Sequence, residues 1–140
     1  FYPLLSKVDF FSLNRQEASK LSGYDFENEE EILKKLSSTG VRILTVTDGV
    51  RGANLVVAKR WLKMTSFPDR SVDDTGAGDA FVSGALSGIL NYKNDEDILK
   101  MGLANGSNVV TEMGAKQGLL SSLDMSKKIK KKLKMVESWL

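Results

Sequence analysis

The segment at residues 41–47, Val-Arg-Ile-Leu-Thr-Val-Thr, constrains the fold more than any other part of the sequence. It is rich in β-branched residues and nearly continuous in its apolar ones, which is typical of a parallel strand covered on both faces. Residues 8–13 are apolar and aromatic, and they predict another buried strand. Strands of this kind need helices to cover them, so the sequence predicts an α/β fold.

Helical patterns alternate with these strands. Residues 15–22 predict a helix that ends at Gly23. A second helical pattern opens at Asn28, carries acidic residues beside its positive N-terminal dipole, and ends at Gly40. The other predicted elements are a hairpin with strands at 53–58 and 61–67, and helices at 79–90, at 95–111 and from about 126 onward.

The last of these predicted helices carries an apolar stripe of Ile129, Leu133, Val136 and Leu140. The same region holds six lysines within residues 127–134. Such a run indicates either a surface for an anionic partner or the solvated face of a terminal helix. The narrow apolar stripe favours the second interpretation.

The residue types that are missing narrow the chemistry. With no Cys and no His, the chain cannot build a Cys/His zinc site, a thiol nucleophile or a Ser-His-Asp triad from its own residues. A net charge of +2 is too small to indicate a nucleic-acid partner, and no apolar run approaches the ~20 residues that span a membrane. The lack of Cys and of a visible secretory signal makes the cytoplasm the expected location.

A glycine-rich turn, Thr75-Gly76-Ala77-Gly78, lies between an extended segment and a predicted helix. Its small residues let consecutive backbone N–H groups approach an anion at the positive end of that helix. Asp79 falls in the first helical turn, where a carboxylate can act as a base beside the anion. The pattern therefore predicts phosphate binding. The alternative is a glycine-rich helix entry with a capping Asp.

Other phosphate-binding and kinase patterns are absent from the sequence. There is no G-x-x-x-x-G-K-[ST] P-loop, and the turn lacks the third Gly or Ala of the dinucleotide fingerprint. The H-R-D and D-F-G signatures of protein kinases are also missing. Two further segments, at residues 14–17 and 47–52, have local explanations: the first has capping-box spacing, and Asp48-Gly49 is a frequent turn pair.

Together these segments carry a family resemblance. Residues 73–81, Asp-Asp-Thr-Gly-Ala-Gly-Asp-Ala-Phe, resemble the D-T-x-G-A-G-D-x-F signature of the ribokinase (pfkB) family of carbohydrate kinases. Residues 14–17 resemble the N-x-x-E motif of that family, and residues 47–52 resemble its T-x-G-x-x-G nucleotide turn. Gly114-Ala115 resembles the later Gly-Ala of its nucleotide pocket.

The resemblance implies ATP-dependent phosphoryl transfer to a sugar hydroxyl. It assigns Asp79 as the base and the turn at 76–79, through the amides of Ala77, Gly78 and Asp79, as an anion hole for the γ-phosphate. It also implies that Glu17 supports Mg²⁺ and that Asp73 and Thr75 help to bind K⁺. The implied nucleotide-binding residues are Asn14, Thr47, Gly49, Gly52, Gly78 and Gly114.

Some positions depart from the family pattern. Asp74 stands where the family usually has Thr, Ser or Pro, so it adds a carboxylate near the phosphate site. Leu103 takes a position where many members place Asn or His near adenine, and Asn105 follows two residues later. Glu112 and Gly118 depart from frequent residues of the potassium loop. These departures keep a non-catalytic nucleotide-binding regulatory module open as an alternative.

The implied fold is ribokinase-like, a three-layer αβα arrangement, with residues 1–140 as the C-terminal nucleotide-binding and catalytic part of the large domain. An upstream portion and a lid, which in the family carry most sugar contacts, are expected to be missing, since Phe1-Tyr2-Pro3 resembles the middle of a protein. The expected partners are a sugar and ATP, with no nucleic acid or membrane. The complete protein is expected as a homodimer. Related kinases also accept nucleosides, sugar phosphates and vitamin precursors, so the acceptor stays open.

Overall fold

The computed structural model describes residues 2–68, 75–111 and 119–140. The chain divides into two compact units. The sheet unit comprises Phe1–Asp48, Ala53–Lys63 and Met135–Leu140, and the helical unit comprises Gly49–Gly52 and Met64–Lys134.

A five-stranded mixed sheet forms from β1 (Phe10–Asn14), β2 (Ile43–Thr47), β3 (Ala53–Val57), β4 (Arg60–Met64) and β5 (Met135–Trp139), in that spatial order. β1 and β2 run parallel, whereas β2 and β3 run antiparallel. The middle of β2 is buried, as predicted for this segment. The predicted hairpin is also present, because β3 and β4 are joined by Ala58 and Lys59, both at positive φ as in a type I′ turn.

Helices α1 (Tyr2–Leu5), α2 (Arg15–Ser22) and α3 (Glu29–Ser37) belong to the sheet unit. α2 ends at Gly23 as predicted, at a φ of 79°, and the Gly23 N–H donates to the carbonyl of Ser19 at 3.0 Å. The apolar faces of α2 and α3 form one core with β2 and β3. Its buried members are Ala18, Ile32, Leu33, Leu36, Val41, Leu44, Val46 and Val56.

The helical unit contains α4 (Ala77–Leu90), α5 (Asp95–Val109) and α6 (Ser122–Lys128), together with a 3-10 turn at Gly49–Arg51. The start of α5 is capped, because the side chain of Asn94 accepts a hydrogen bond from the backbone N–H of Asp97 at 2.9 Å. α4 and α5 appear at the predicted places in the chain, each within about two residues of its predicted limits.

Glycine allows α4 and α5 to approach closely. A Cβ atom on Gly84 would lie 2.4 Å from the carbonyl oxygen of Met101, and one on Gly102 would lie 2.7 Å from the ring of Phe81. The small-residue face of α4 packs on a helix and not on the sheet, since Gly84 and Gly88 meet α5. Both helices carry glycine where they meet, so the backbones of α4 and α5 approach closely where larger side chains would keep them apart.

The predicted helix from about residue 126 is wrong. α6 begins earlier, where the Ser121 side chain accepts from the Asp124 N–H, and it ends at Lys128. The chain then forms β5, whose residues are all exposed. Lysines four residues apart, such as Lys128 and Lys132, would repel each other in a helix. The ladder beside β4 provides hydrogen bonds instead, and the Leu140 N–H donates to the Lys59 carbonyl at 2.9 Å.

No helix in the three described ranges combines the length and the apolar character that crossing a bilayer requires.

We expect Gly84→Ala to lower the free energy of unfolding by about 1–2 kcal/mol, because overpacking outweighs the gain in helix propensity. Urea denaturation of the full-length protein measures this change. Ser83→Ala is the matched control, since Ser83 is exposed on the same helix, and it should shift stability by less than about 0.5 kcal/mol. An unchanged or increased stability of Gly84→Ala would contradict the close contact between α4 and α5.

Candidate active site

The sheet unit brings two predicted binding residues together. Asn14 and Thr47 are Cα partners at the last positions of β1 and β2. Because the two strands are parallel, both of their carboxyl ends lie at one edge of the sheet, where open α/β sheets usually bind ligands. Asn14 is exposed and Thr47 is half-buried. Two residues that are 33 positions apart in sequence, Asn14 and Thr47, thus lie side by side on one surface.

Asn14 and Glu17 form a complete capping box at the start of α2. The Asn14 side chain accepts from the N–H of Glu17 at 2.9 Å, and Glu17 Oε2 accepts from the N–H of Asn14 at 2.9 Å. The local explanation of this motif is therefore confirmed. Both residues are exposed, so the capping role leaves their side chains accessible to a ligand.

Glu17 fits a magnesium ion that is held mainly by water and phosphate oxygens. Mg²⁺ keeps several waters and usually takes only one or two carboxylates from a protein. Within the described ranges, no group of three or more carboxylate, Cys or His side chains converges on one point that could hold a metal. A single exposed carboxylate such as Glu17 suits a Mg²⁺ ion that keeps most of its water and phosphate ligands, and it does not suit an ion enclosed by protein side chains.

Arg15 lies beside Asn14 and is buried, although no sequence motif pointed to it. Its Nε and Nη2 atoms donate to the carbonyl oxygen of Phe26 at 2.9 and 2.6 Å. Its Nη1 atom pairs with Glu29 and lies 3.7 Å from the Asp48 carboxylate. The sequence feature that could have identified Arg15 is its position between the motif residues Asn14 and Glu17, at the end of a buried strand. Its partners, however, are distant in sequence and cannot be identified from local spacing.

Glu29 is the acidic centre of this polar cluster. It also pairs with Lys63 and accepts from the side-chain amide of Asn54 at 3.0 Å. Burial raises the pKa of Glu29, but hydrogen bonds from Lys63 and Asn54 and the charges of Lys63 and Arg15 outweigh burial. The pKa of Glu29 therefore lies below its ordinary value of 4.5, and the residue is ionised at neutral pH.

The predicted turn after β2 is present, and its two glycines differ in their surroundings. A Cβ atom on Gly52 would lie 1.9 Å from the Met64 carbonyl oxygen, so the packing of the chain alone requires glycine there. A Cβ atom on Gly49 would meet nothing within 4 Å, although its φ of 55° favours glycine. Gly49 therefore leaves open space beside the backbone, whereas Gly52 is needed for the fold.

The glycine-rich turn of the helical unit begins α4. Gly76 is the N-cap residue in the left-handed region, at φ 82° and ψ 0°, and makes no side-chain capping bond. The Ala80 N–H closes the first helical turn by donating to the Gly76 carbonyl at 2.9 Å. The N–H groups of Ala77, Gly78 and Asp79 therefore lie ahead of the intrahelical ladder, at the positive end of the helix dipole.

The surroundings of this turn suit an anion. Gly78 is exposed, and a Cβ atom there would meet nothing within 4 Å. Asp79 is exposed in the same first turn of α4. Among the described residues no side chain crowds Gly78, so a phosphate group can approach its backbone, and the Asp79 carboxylate lies in the same helical turn. Thr75, immediately before the turn, is exposed as well.

Several predicted positions lie outside the described residues. They include the potassium-site residue Asp73, the nucleotide-pocket residue Gly114, and the departures Asp74, Glu112 and Gly118. Leu103 is described and is buried in α5. Asn105 is also buried, and its side chain donates to the Ala80 carbonyl and accepts from the Leu120 N–H, both at 2.9 Å. Asn105 thus links the first turn of α4 to the segment at Leu120.

Comparison with known proteins decides the family. A model of the pfkB family of carbohydrate kinases matches residues 3–122. The chain belongs to this family. The assignment confirms the resemblance seen in the sequence, and it agrees with a mixed sheet whose strands and helices follow the predicted α/β order.

Individual relatives and solved structures agree with this assignment. The chain is 31% identical to an ATP-dependent 6-phosphofructokinase of Thermoanaerobacterium thermosaccharolyticum, over 80% of this chain and 34% of that protein. It is 27% identical to Arabidopsis thaliana ribokinase complexed with ribose and ATP, with a TM-score of 0.84 over 94% of this chain and 44% of that one. A probable sugar kinase from Rhizobium etli is 32% identical, with a TM-score of 0.79 over 91% of this chain and 38% of that chain. The chain thus spans less than half the length of each of these proteins.

The lowered pKa of Glu29 predicts acid sensitivity. The unfolded chain binds a proton on Glu29 at higher pH than the folded chain does, so stability falls as pH decreases through the range below 4.5. We expect Glu29→Gln to be less stable than the wild type at pH 7 and to lose less stability between about pH 5 and pH 3. Urea denaturation across this pH range measures both effects.

Glu30→Gln is the matched control for this measurement. Glu30 lies next to Glu29 on α3, but its side chain is 57% exposed and pairs only with the solvent-exposed Lys34 among the ion pairs described. Its substitution should change the free energy of unfolding at pH 7 by less than about 0.5 kcal/mol. Parallel pH curves for the wild type and Glu29→Gln would contradict the assigned role of Glu29.

Proposed function

We propose that the full-length protein transfers the γ-phosphoryl group of ATP to a hydroxyl group of a sugar, and that residues 1–140 are its C-terminal nucleotide-binding and catalytic part. Membership of the pfkB family supports this reaction class. The observation that carries the proposal is the start of α4, where backbone N–H groups outside the intrahelical ladder, at the positive helix end, adjoin the exposed carboxylate of Asp79.

Phosphoryl transfer requires positioned charge more than covalent chemistry from the protein. In the proposed reaction, the N–H groups of Ala77, Gly78 and Asp79 bind the oxygens of the transferred phosphoryl group. Gly76 permits the left-handed entry that directs these groups toward the anion. The Asp79 carboxylate accepts the proton of the acceptor hydroxyl as its oxygen attacks phosphorus and the bond to ADP breaks.

We assign the nucleotide phosphates to the carboxyl-end edge of β1 and β2. Asn14 and Thr47 lie side by side there and offer an amide and a hydroxyl. The turn that follows β2 contributes Gly49 and Gly52, and Gly114 completes the proposed set. Bound Mg²⁺ would neutralise phosphate charge, with Glu17 orienting the ion or its waters. K⁺ dependence through Asp73 and Thr75 remains part of the proposal.

The proposed acceptor is a monosaccharide or a monosaccharide phosphate. The relatives include a ribokinase from Haemophilus influenzae, 27% identical over 83% of this chain, and Arabidopsis ribokinase was solved with ribose and ATP. Fructokinases and a 6-phosphofructokinase are relatives of similar identity. The homodimer and the cytoplasmic location predicted for the complete protein also belong to this proposal.

Replacing Asp79 tests the base. We expect Asp79→Asn in the full-length protein to lower kcat by about 10²- to 10⁴-fold, since proton transfer by a positioned group contributes that much. Coupled detection of ADP, with a panel of pentoses, hexoses, their phosphates and nucleosides, gives the rate and the preferred acceptor. Turnover of Asp79→Asn at the wild-type rate would refute the assignment.

Asp97→Asn is the matched control for Asp79→Asn. Asp97 is also the third residue of its helix and is a half-buried carboxylate, but it serves the cap of α5. Its variant should keep wild-type turnover. If wild-type protein binds ATP tightly and phosphorylates no acceptor in the panel, it is a nucleotide-binding regulatory module and not a kinase.

Replacing Gly78 tests the anion site separately from the base. A Cβ atom has free space at Gly78, so Gly78→Val should fold with a melting temperature near that of the wild type. Its larger side chain should obstruct the phosphate and raise KM for ATP by about tenfold or more. Steady-state kinetics and thermal denaturation measure the two effects. A folded Gly78→Val with unchanged kinetics would place the phosphate elsewhere.

A further inference from the structure

Arg15 occupies an unusual position between two residues that the proposed function uses. It follows Asn14 directly in sequence, and Asn14 pairs with Thr47 across β1 and β2. Arg15 has only 7% of its surface exposed, and the neighbouring Asn14 is exposed. An arginine is rarely buried to this extent unless its donors are satisfied, so its contacts indicate a specific role.

The guanidinium of Arg15 joins four segments of the sheet unit. From the start of α2 it reaches the connection to α3 through the Phe26 carbonyl, and it lies over the Phe26 ring at 5.0 Å. It pairs with Glu29 at the start of α3. Its Nη1 atom also lies 3.7 Å from Asp48, the residue that follows Thr47. A planar group with several donors is suited to such simultaneous contacts.

We propose that Arg15 is a positioning residue for the nucleotide: its buried guanidinium holds the Asn14–Glu17 turn against the Thr47–Asp48 end of β2. This inference rests on the proposed function, because it assumes that Asn14 and Thr47 bind nucleotide phosphate. Arg15 itself makes no contact with the nucleotide in this arrangement. It acts through the backbone of its neighbour Asn14 and through the carboxylate of Asp48.

The charges explain why another residue type would not do the same work. The side chains of Glu29 and Asp48 are 15% and 14% exposed, and both face the same Arg15 nitrogen. Without the positive charge of Arg15, Glu29 would keep its pair with Lys63, but Asp48 would lose its attraction to the start of α2, and the Asn14–Glu17 turn would be held less firmly against the end of β2. Lysine would restore the charge, but its single ammonium group cannot also make both bonds to Phe26.

The test compares Arg15→Met, Arg15→Lys and the control Arg42→Met in the full-length protein. Arg42 also pairs with an aspartate, Asp9, but at side-chain exposures of 76% and 78%. Steady-state kinetics give kcat and KM for ATP and for the acceptor, and calorimetry gives the dissociation constant of ATP. Thermal denaturation of each variant reports the change in stability.

We expect Arg15→Met to raise both KM and the dissociation constant for ATP by about tenfold, at the lower end of what partners that orient binding groups contribute. KM for the acceptor should stay within about twofold, since Arg15 acts on the nucleotide side only. Arg15→Lys should recover part of the ATP affinity. Arg42→Met should match the wild type in every kinetic parameter.

ATP affinity of Arg15→Met within about twofold of the wild type, whatever its melting temperature, would overturn the inference and make Arg15 a residue of the fold alone. If Arg15→Met fails to fold, the ATP affinity of Arg15→Lys is compared with that of the wild type by the same criterion. A wild-type protein that binds ATP but phosphorylates nothing would refute the proposed reaction while the calorimetric comparison still tests Arg15. Absence of ATP binding by the wild type would refute the inference as well.

Discussion

The parallel pairing of β1 with β2 is the interaction on which the arrangement of the sheet unit depends. It places the carboxyl ends of two strands at one edge and sets Asn14 opposite Thr47. A shift of one residue in this register would move Leu44 and Val46 to the opposite face of the sheet, away from the core that they form with Ile32 and Leu36, so that core holds the register in place. The polar positions at the edge are therefore determined by apolar packing behind them.

The arrangement of the helical unit also depends on one contact, which is the close approach of the backbones of α4 and α5. Gly84 and Gly102 let α4 and α5 approach until backbone and ring atoms meet. The side chain of Asn105 adds a buried hydrogen bond to Ala80, directly after Asp79. Donors at a helix end stabilise developing charge only when they are already in position, so a closely packed helix pair suits the proposed reaction. The Gly-rich turn supplies the donors, and the packing of α4 supplies their fixed position.

Local signals in the sequence predicted much of the fold and both halves of the proposed site. Gly23 ends α2 because its left-handed φ is available to glycine, and Asn14 begins α2 because its side chain caps the next turn. Both preferences act within a few residues. The prediction for the C-terminal segment was wrong because contacts distant in sequence decided its structure. Its apolar spacing suited a helix, but the sheet provided hydrogen bonds for β5. Repulsion between lysines four residues apart also disfavoured the helix. Asp73 and Gly114 lie outside the described residues, so those two site predictions remain predictions.

The sequence alone predicted the family resemblance, the α/β order of elements and the glycine-rich turn that precedes α4, because these follow from backbone preferences and short motifs. It could not determine that Arg15 would be buried against Phe26, Glu29 and Asp48, or that the glycine face of α4 would meet α5. Those contacts join residues far apart along the chain. Their distances depend on how the elements pack, and only the tertiary structure brings such residues within reach of a hydrogen bond or an ion pair.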